Sequence, residues 1–425
     1  MSDTRRRTAV VGSGVAGLTA AYVLARRHEV ALYEAADRLG GHAHTHDIPS
    51  ADGRIHRVDS GFIVHNERTY PYLLRLFVEL GVTTQESEMS LSVRCDGCGL
   101  EYAGARGPSG LLARGRNALR PRYLRMLAEI PAFHRRARRL LATPPTGPEQ
   151  DATLGEFIAE CGFSPYFTAH FVTPLVSAVW SCDARTALRC PARPVLRFLA
   201  HHGLLTTGGS PVWRTVSGGS RAYVERVGKR LGAVHTSTPV RAVRRHPAGV
   251  ELVTDDDAVE WYDSVVIAVH PDQALRLLAD ATEEERRILG AFRYSRNPTQ
   301  LHTDTAVLPR SAPARASWNL LMPSCDAGAD AVRISYDMNR LQRLDAPETY
   351  VVTLNGADRV DPRRVLADMV YEHPVHTPES VAAQRLLYSL NSPVTVYAGA
   401  YHGWGFHEDG CRSGVSAAAA LGVTW

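Results

Sequence analysis

An α/β fold with two interleaved domains is predicted by three observations. Residues 8–35, TAVVGSGVAGLTAAYVLARRHEVALYEA, read as strand, tight glycine turn, helix and strand. Period-two strands at Val240 to Val243 and Val250 to Val253 lead into a wholly apolar strand, Val265 to Val269. A chain of 425 residues is too long for one hydrophobic core. The pieces 1–68, 206–271 and 392–425 are therefore assigned to a Rossmann-type, nucleotide-binding domain, and 69–205 with 272–391 to an α+β domain interleaved with it.

The opening segment defines the first half of a site. Gly12, Gly14 and Gly17 have the G-x-G-x-x-G spacing, and Glu34 ends the next strand about where a ribose-binding acid falls. Gly12 makes the turn, Gly14 lets the backbone approach a pyrophosphate, and Gly17 lets helix and strand pack closely. Glu34, with Ala35 beside it, meets the ribose. The helix N-terminus at Val15 and Ala16 faces the phosphates, where free N–H groups and the helix dipole favour negative charge. The glycine spacing alone is a weak signal; strand before, helix after and acid in place make it specific.

The chain continues as EAADRLGGHAHT, which resembles the arginine and double-glycine motif of the FAD-binding amine oxidase and phytoene desaturase superfamily, carried here by Arg38, Gly40 and Gly41. The resemblance implies a GR2-like FAD domain. A further Arg commonly follows the two glycines in that superfamily; here His42 stands in its place, a departure that points away from a true amine oxidase and leaves FAD intact. His42, His44, His46 and Asp47 alternate along an extended segment without closing a ligand set, so they are assigned no metal.

The middle of the chain carries weaker signals. CDGCG places Asp96 and Gly97 between the short strands SVR and LEYAG, which predicts a β-hairpin tip. Cys95 and Cys98 lack a second pair of the same spacing among Cys161, Cys182, Cys190, Cys325 and Cys411, so no metal site is assigned there either. Ten arginines lie between Arg106 and Arg139 among apolar residues at helical spacing. They form either a solvated helix face or a surface for anionic lipid or a substrate carboxylate. His201 and His202 in RFLAHHGLL have no visible acid partner, and SGGS before AYVERV is a helix-capping turn as readily as a nucleotide loop.

Composition bounds the function. An apolar fraction of 44% and a charged fraction of 22% suit a globular enzyme with a large buried ligand. The first apolar stretch follows Arg5, Arg6 and Arg7 as a signal peptide would, but its glycine spacing serves the turn, and no apolar run is long enough to span a bilayer. A net charge of +4 is too mild for a nucleic-acid partner. Seven scattered cysteines suit reduced thiols. A cytoplasmic location is expected, peripheral to a membrane if the arginine segment meets lipid.

WRTVSGGSRAYV, QLHTDTAVLP, ASWNL, DMNRLQ, AQRLLYSLNSPVTVYAGAYHGWGFHEDG and CRSG together resemble one group of that superfamily, in which predicted FAD-binding proteins stand with bacterial polyunsaturated fatty acid isomerases and flavin-dependent fatty acid desaturases. The resemblance covers nearly the whole chain. It implies that the backbone amide of Val240 meets the adenine and that the C-terminal segment passes beside the isoalloxazine. Gly399, Glu408, Asp409, Gly410 and Ser413 would complete the cofactor contacts, with the N–H groups of Gly410 to Ser413 facing the pyrimidine edge. Gly403, Gly405 and Gly410 would permit close backbone approach. Tyr401, Trp404 and Phe406 would wall the substrate space, and His407 and Glu408 are the candidates for proton transfer. Asp409 reads equally as a plain helix cap. FAD is expected to be non-covalent, Cys411 having its place in the first turn of a helix.

The leading activity is removal of hydride from an allylic carbon of an unsaturated fatty acyl chain. Return of the hydride to another carbon gives an isomer; loss of a proton gives a new double bond and requires an oxidant. The alternative is a flavin-dependent oxidase of an amine or natural-product intermediate. Amine oxidases often use a lysine-held water, and this chain is poor in lysine, arginine supplying nearly all its cations.

Overall fold

The computed structural model describes residues 5–144, 152–206, 210–326 and 332–425. The strand Arg7–Val11 lies at the centre of a five-stranded parallel sheet. In space the order is Ala233–His235, Glu29–Tyr33, Arg7–Val11, Ser264–Ile267 and Thr395–Tyr397. Along the chain these are third, second, first, fourth and fifth. Ala9, Val10, Val265, Val266 and Val396 have no exposed surface, as expected of strands covered on both faces. The three dispersed pieces read from the sequence therefore meet in one sheet.

All ten residues of the helix Val15–Leu24 are buried, and its composition has no polar stripe. It is enclosed by the sheet and by the last helix, His407–Ala420. Gly410 and Gly414 allow that contact: a Cβ on Gly414 would lie 2.4 Å from the Ala16 carbonyl oxygen, and one on Gly410 2.6 Å from Val15 Cγ1.

A seven-stranded sheet carries the second half of the molecule. Its order is Val365–Val375, Arg293–His302, Val351–Leu354, Arg333–Asp337, Trp318–Met322, Leu91–Cys95 and Leu100–Ala103. The strands are antiparallel except where Trp318–Met322 runs parallel to Leu91–Cys95. The hairpin at Asp96 and Gly97 forms as read, Cys95 pairing with Leu100.

One boundary lies elsewhere than the sequence suggested. The helix Pro71–Leu80 receives its N-terminal cap from Glu408, and Thr84–Glu86 pairs with Trp213–Val216. Both elements thus join the first half, and the chain crosses into the second near residue 87 rather than residue 69. The SGGS turn is a cap of another kind: Ser220 donates from N and Oγ to buried Asp59, which also accepts from Thr45 and Gln342. No helix among the described residues is long and apolar enough to cross a membrane.

The arginine segment lies mainly on the helix Pro121–Ala142, and several of its cations are occupied within the protein. Arg106 pairs with Glu88 at 2.9 Å, Arg114 with Glu101 at 2.9 Å, and Arg125 with Glu129 at 3.3 Å. Arg116 donates to Gly99 O, and Arg138 to Leu205 O.

Candidate functional site

The N-terminal glycine turn combines a tight backbone with open space beside it. Gly12 has φ +99° and donates to Tyr33 O at 2.8 Å, which closes the turn against the second strand. A Cβ on Gly17 would lie 1.9 Å from Gly12 O, so the helix sits directly on the turn. A Cβ on Gly14 would meet no atom within 4 Å, so Gly14 looks onto open space. The first turn of the helix, at Val15, Ala16 and Gly17, has neither a side-chain cap nor an acidic residue, which leaves its N–H groups free for an anion.

The arginine and double-glycine loop folds over this turn. Gly40 and Gly41 have φ +109° and +55°, and a Cβ on Gly41 would stand 3.2 Å from Gly14 Cα. Arg38 donates to Gly41 O at 2.9 Å and holds the loop. Glu34 accepts from Ser13 N at 2.9 Å and from Ala36 N at 2.9 Å, and also accepts from the Ser13 hydroxyl. Ser13, which the glycine spacing does not single out, thus orients the Glu34 carboxylate. Beyond Ala35, Ser237 N and Thr238 N donate to Ala36 O and Glu34 O, which sets Val240 beside the same cradle. His42 packs between Tyr371 and His373, with ring centroids 5.0 and 5.4 Å away, and its buried Nε2 has no hydrogen-bond partner. An open phosphate cradle, a ribose acid and an unpartnered polar atom at the far end fit an elongated dinucleotide.

The C-terminal turn differs from the expectation in several respects. The helix begins at His407 rather than past Gly410, and Gly410 N is already bonded to Phe406 O. The N–H groups of Gly410 to Ser413 thus belong to the helix ladder and not to a flavin edge. Asp409 is a cap: Oδ2 accepts from Trp404 N at 3.0 Å and Phe406 N at 3.1 Å, and Oδ1 pairs with Arg412 at 2.8 Å. Burial pushes its carboxyl up to about 6. A Cβ on Gly403 would lie 2.0 Å from Asp409 Oδ1, and one on Gly405 2.7 Å from Pro374 Cγ. The approach that these glycines permit is therefore that of protein groups. Gly399 N donates to Ser413 Oγ, which in turn donates to Gly410 O, so Ser413 ties the turn to the helix.

Neither proton-transfer candidate is placed to act. Glu408 accepts from Tyr72 N and Leu73 N, both at 3.0 Å, and so caps a different helix. Burial raises its carboxyl to about 7. His407 stacks on Phe62 at 3.7 Å with its Nε2 3.2 Å from Tyr223 OH, and enclosure pushes its pKa down to about 3. It is a neutral, packed ring at physiological pH.

Trp404 and Phe406 pack into a cluster of rings from distant segments, Phe198, Trp180 and His376, the candidate lining of a substrate chamber. Tyr401 is buried, its hydroxyl without a partner, whereas Trp404 and Phe406 remain partly exposed. Phe406 stacks on Phe198 at 4.7 Å, and Trp404 meets Phe198 edge-on at 5.6 Å. Trp180 Nε1 and His376 Nε2 both donate to Trp404 O, at 3.1 and 3.0 Å, and fix the turn. Burial lowers the pKa values of His202 and His376 to about 4, so both rings are neutral. Tyr371 and His373 alternate along one strand and His202 follows Phe198 by one helical turn; these spacings were the available signal.

The chain belongs to the flavin-containing amine oxidoreductases: that family's model matches residues 15–303. FAD is its cofactor, and the family's members are flavin-containing oxidoreductases. The chain is 27% identical over 295 residues to coproporphyrinogen III oxidase of Mycobacterium leprae (strain TN), a match spanning 65% of this chain and 62% of that relative's length. Among solved structures it is similar to cyclohexylamine oxidase from Brevibacterium oxydans IH-35A, with a TM-score of 0.69 and 17% identity over 98% of each chain. It is equally similar to a CLA-producing fatty acid isomerase from P. acnes, with a TM-score of 0.69 and 17% identity over 97% of this chain and 98% of that one. At such identities these two likenesses show the fold.

The sequence assigned no metal, and one cluster departs from that reading. Cys95, Cys98, His170 and Cys325 bring their ligand atoms within 4.8 Å of one another. Cys325 lies 230 residues from Cys95, and His170 lies 72 residues from Cys98, so no local spacing revealed them. His42, His44 and His46 form no such group: His44 bonds Tyr371 and His46 bonds Ser60.

Proposed function

We propose that this enzyme removes hydride from an allylic carbon of an unsaturated fatty acyl chain and either returns it, shifting the double bond, or leaves a new double bond. The supporting observation is the chamber of Trp180, Phe198, Trp404, Phe406 and the neutral ring of His376. Its nearby carboxylates, Glu408 and Asp409, are both committed to helix caps. A protonated amine would bury its charge there without a partner, whereas a hydrocarbon chain gains about 0.8 kcal/mol for each methylene taken from water. The chain's single lysine, Lys229, is exposed just past the helix Arg221–Gly228.

FAD, when bound, supplies the hydride acceptor. The protein's part is to bind and orient. Gly12, Gly14, Val15, Ala16 and Gly17 would hold the phosphates, Glu34 the ribose, and Arg38, Gly40, Gly41 and His42 the loop over them, with no covalent link. Cys411 supports the last point, since it is buried and accepts from Thr19 Oγ1 at 3.4 Å. Trp404 and Phe406, both partly exposed, would direct the acyl chain. Arg68 donates to His201 O beside Trp404 and would offer a cation to the substrate carboxylate, a task the 106–139 arginines are less free to perform. The five-stranded sheet would form the Rossmann-type FAD domain and the seven-stranded sheet the substrate domain.

The test offers the holoenzyme an unsaturated fatty acid and a panel of amines without oxygen. Lipid is expected to react and amines not to; flavin bleached by an amine while lipids leave it unchanged refutes the reading. Deuterium on the reacting carbon stays in the product of an isomerase and is lost from that of a desaturase. Trp404→Ala should lower turnover more than it lowers FAD content, because it removes a wall of the chamber and leaves the cradle intact.

A further inference from the structure

We propose that Cys95, Cys98, Cys325 and His170 hold a structural Zn²⁺ ion in a tetrahedral site. The distances already suit it. Cys95 Sγ and Cys325 Sγ are 3.7 Å apart, and Cys98 Sγ and His170 Nε2 are 3.6 Å apart. With Zn–S of about 2.3 Å and Zn–N of about 2.0 Å, a regular tetrahedron has S···S edges of about 3.8 Å and S···N edges of about 3.5 Å. All three cysteines are free thiols, and three soft sulfurs with one imidazole are a donor set that selects zinc over the hard cations.

The surrounding backbone is shaped to present these groups. Cys-x-x-Cys-Gly forms a tight knuckle in which Gly99, at φ +68°, donates to Cys95 O at 2.8 Å. The N–H of Cys98 is directed at the Cys95 sulfur and that of Leu100 at the Cys98 sulfur. Asp96 N donates to Met322 O, and a Cβ on Gly97 would lie 3.0 Å from Cys325 N, so glycine at that position lets the Cys325 loop reach the knuckle. His170 stands in a one-turn π-helical segment, Thr168–Val172, a distortion that recurs at functional positions. Its Nδ1 donates to Tyr166 O at 3.2 Å, which leaves Nε2 unprotonated toward the sulfurs, as in metal-binding histidines. Three thiolates and one Zn²⁺ carry a net negative charge, and the guanidinium groups of Arg116 and Arg120 lie against Gly99 to balance it.

The ion would fasten three separate pieces: the 91–103 hairpin, the loop after Met322, and the helical stretch that ends in Trp180 at the chamber. Metal analysis of the purified holoenzyme should find about one zinc per chain, as for other closed sites of this type. Chelation under denaturing conditions should release it and expose the three thiols to a thiol reagent. Cys325→Ser and His170→Ala should lose most of the zinc, and Cys161→Ser, outside the cluster, should retain it. Because a ligand variant that fails to fold would say nothing of the site, wild-type protein is also grown with Co²⁺. Thiolate-bound tetrahedral cobalt absorbs to the red of flavin, and its bands are expected. Wild-type protein that carries no transition metal and takes up neither zinc nor cobalt overturns the proposal, as does a Cys95–Cys325 disulfide in the freshly isolated chain.

Discussion

Two glycine-rich turns, near opposite ends of the chain, precede helices and look alike in sequence, yet their glycines serve opposite purposes. At Gly14 the space beside the backbone is open; at Gly403, Gly405 and Gly410 it is filled by Asp409, Pro374 and Val15. A glycine marks close approach without saying of what. The spacing G-x-G-x-x-G, with a strand before it and Glu34 after, specifies a ligand. The turn YHGWGFHEDG lacks such a constraint, and its glycines accommodate the protein itself.

The largest effect that tests this contrast is expected from Gly14→Val. The residue has φ −61° and ψ 173°, which any residue adopts, and its Cβ would meet nothing. The variant should fold and melt near the wild type but carry no flavin, because the pyrophosphate must occupy that space. Equal flavin-to-protein absorbance in the two proteins ends the cradle assignment. Glu34→Ala should keep the fold and weaken FAD binding by about 1.5–3 kcal/mol, the worth of a charge-assisted hydrogen bond, measurable by titrating the apoprotein.

Gly403→Ala should do the reverse. Its Cβ would collide with the Asp409 carboxylate, so stability should fall by about 1–3 kcal/mol in urea unfolding while flavin stays bound. Loss of flavin at unchanged stability would return the C-terminal glycines to the cofactor. The smallest effect concerns pH. Burial raises Glu408 to about 7 and Asp409 to about 6, so the folded chain binds these protons more tightly than the unfolded one. The resulting stabilisation is complete below about pH 4 and is lost as pH rises through 6 to 7. The buried histidines His202, His376 and His407 titrate in the opposite sense, so the readout is the difference between wild type and Glu408→Gln: the stability of the wild type relative to the variant should fall as pH rises through about 7. A difference that does not change between pH 5 and 8 contradicts the burial of Glu408.

The shape of the N-terminal glycine turn was legible because its determinants are local. Gly12, Gly14, Gly17 and Glu34 lie within one strand–helix–strand unit, and hydrogen bonds within that unit fix their geometry. The aromatic chamber was half legible. Trp404 and Phe406 stand in a quotable motif, but Phe198, Trp180 and His376 reach them from elements far along the chain. The roles of His407 and Glu408 were misread for a related reason. Their chemistry suited proton transfer, but only the fold shows that Pro71–Leu80 takes the carboxylate for its own N-terminus. Cys325 and His170 were invisible as partners of CDGCG because register within a seven-stranded sheet, not spacing, brings Cys325 three residues past the one facing Cys95.

The seating of Gly410 and Gly414 on the helix Val15–Leu24 bears on how the chain acquires its shape. Thr19 and Cys411 touch across a separation of 392 positions, and the edge strand Thr395–Tyr397 completes a sheet that includes Arg7–Val11. The strand Arg7–Val11 and the helix after it must therefore wait on the ribosome, with apolar surface uncovered, until residues 392 positions further along emerge. Contacts of such sequence separation form slowly and leave intermediates prone to association. Production of this enzyme should accordingly depend more on chaperones and slow synthesis than that of a protein of similar size whose sheet is built from consecutive strands.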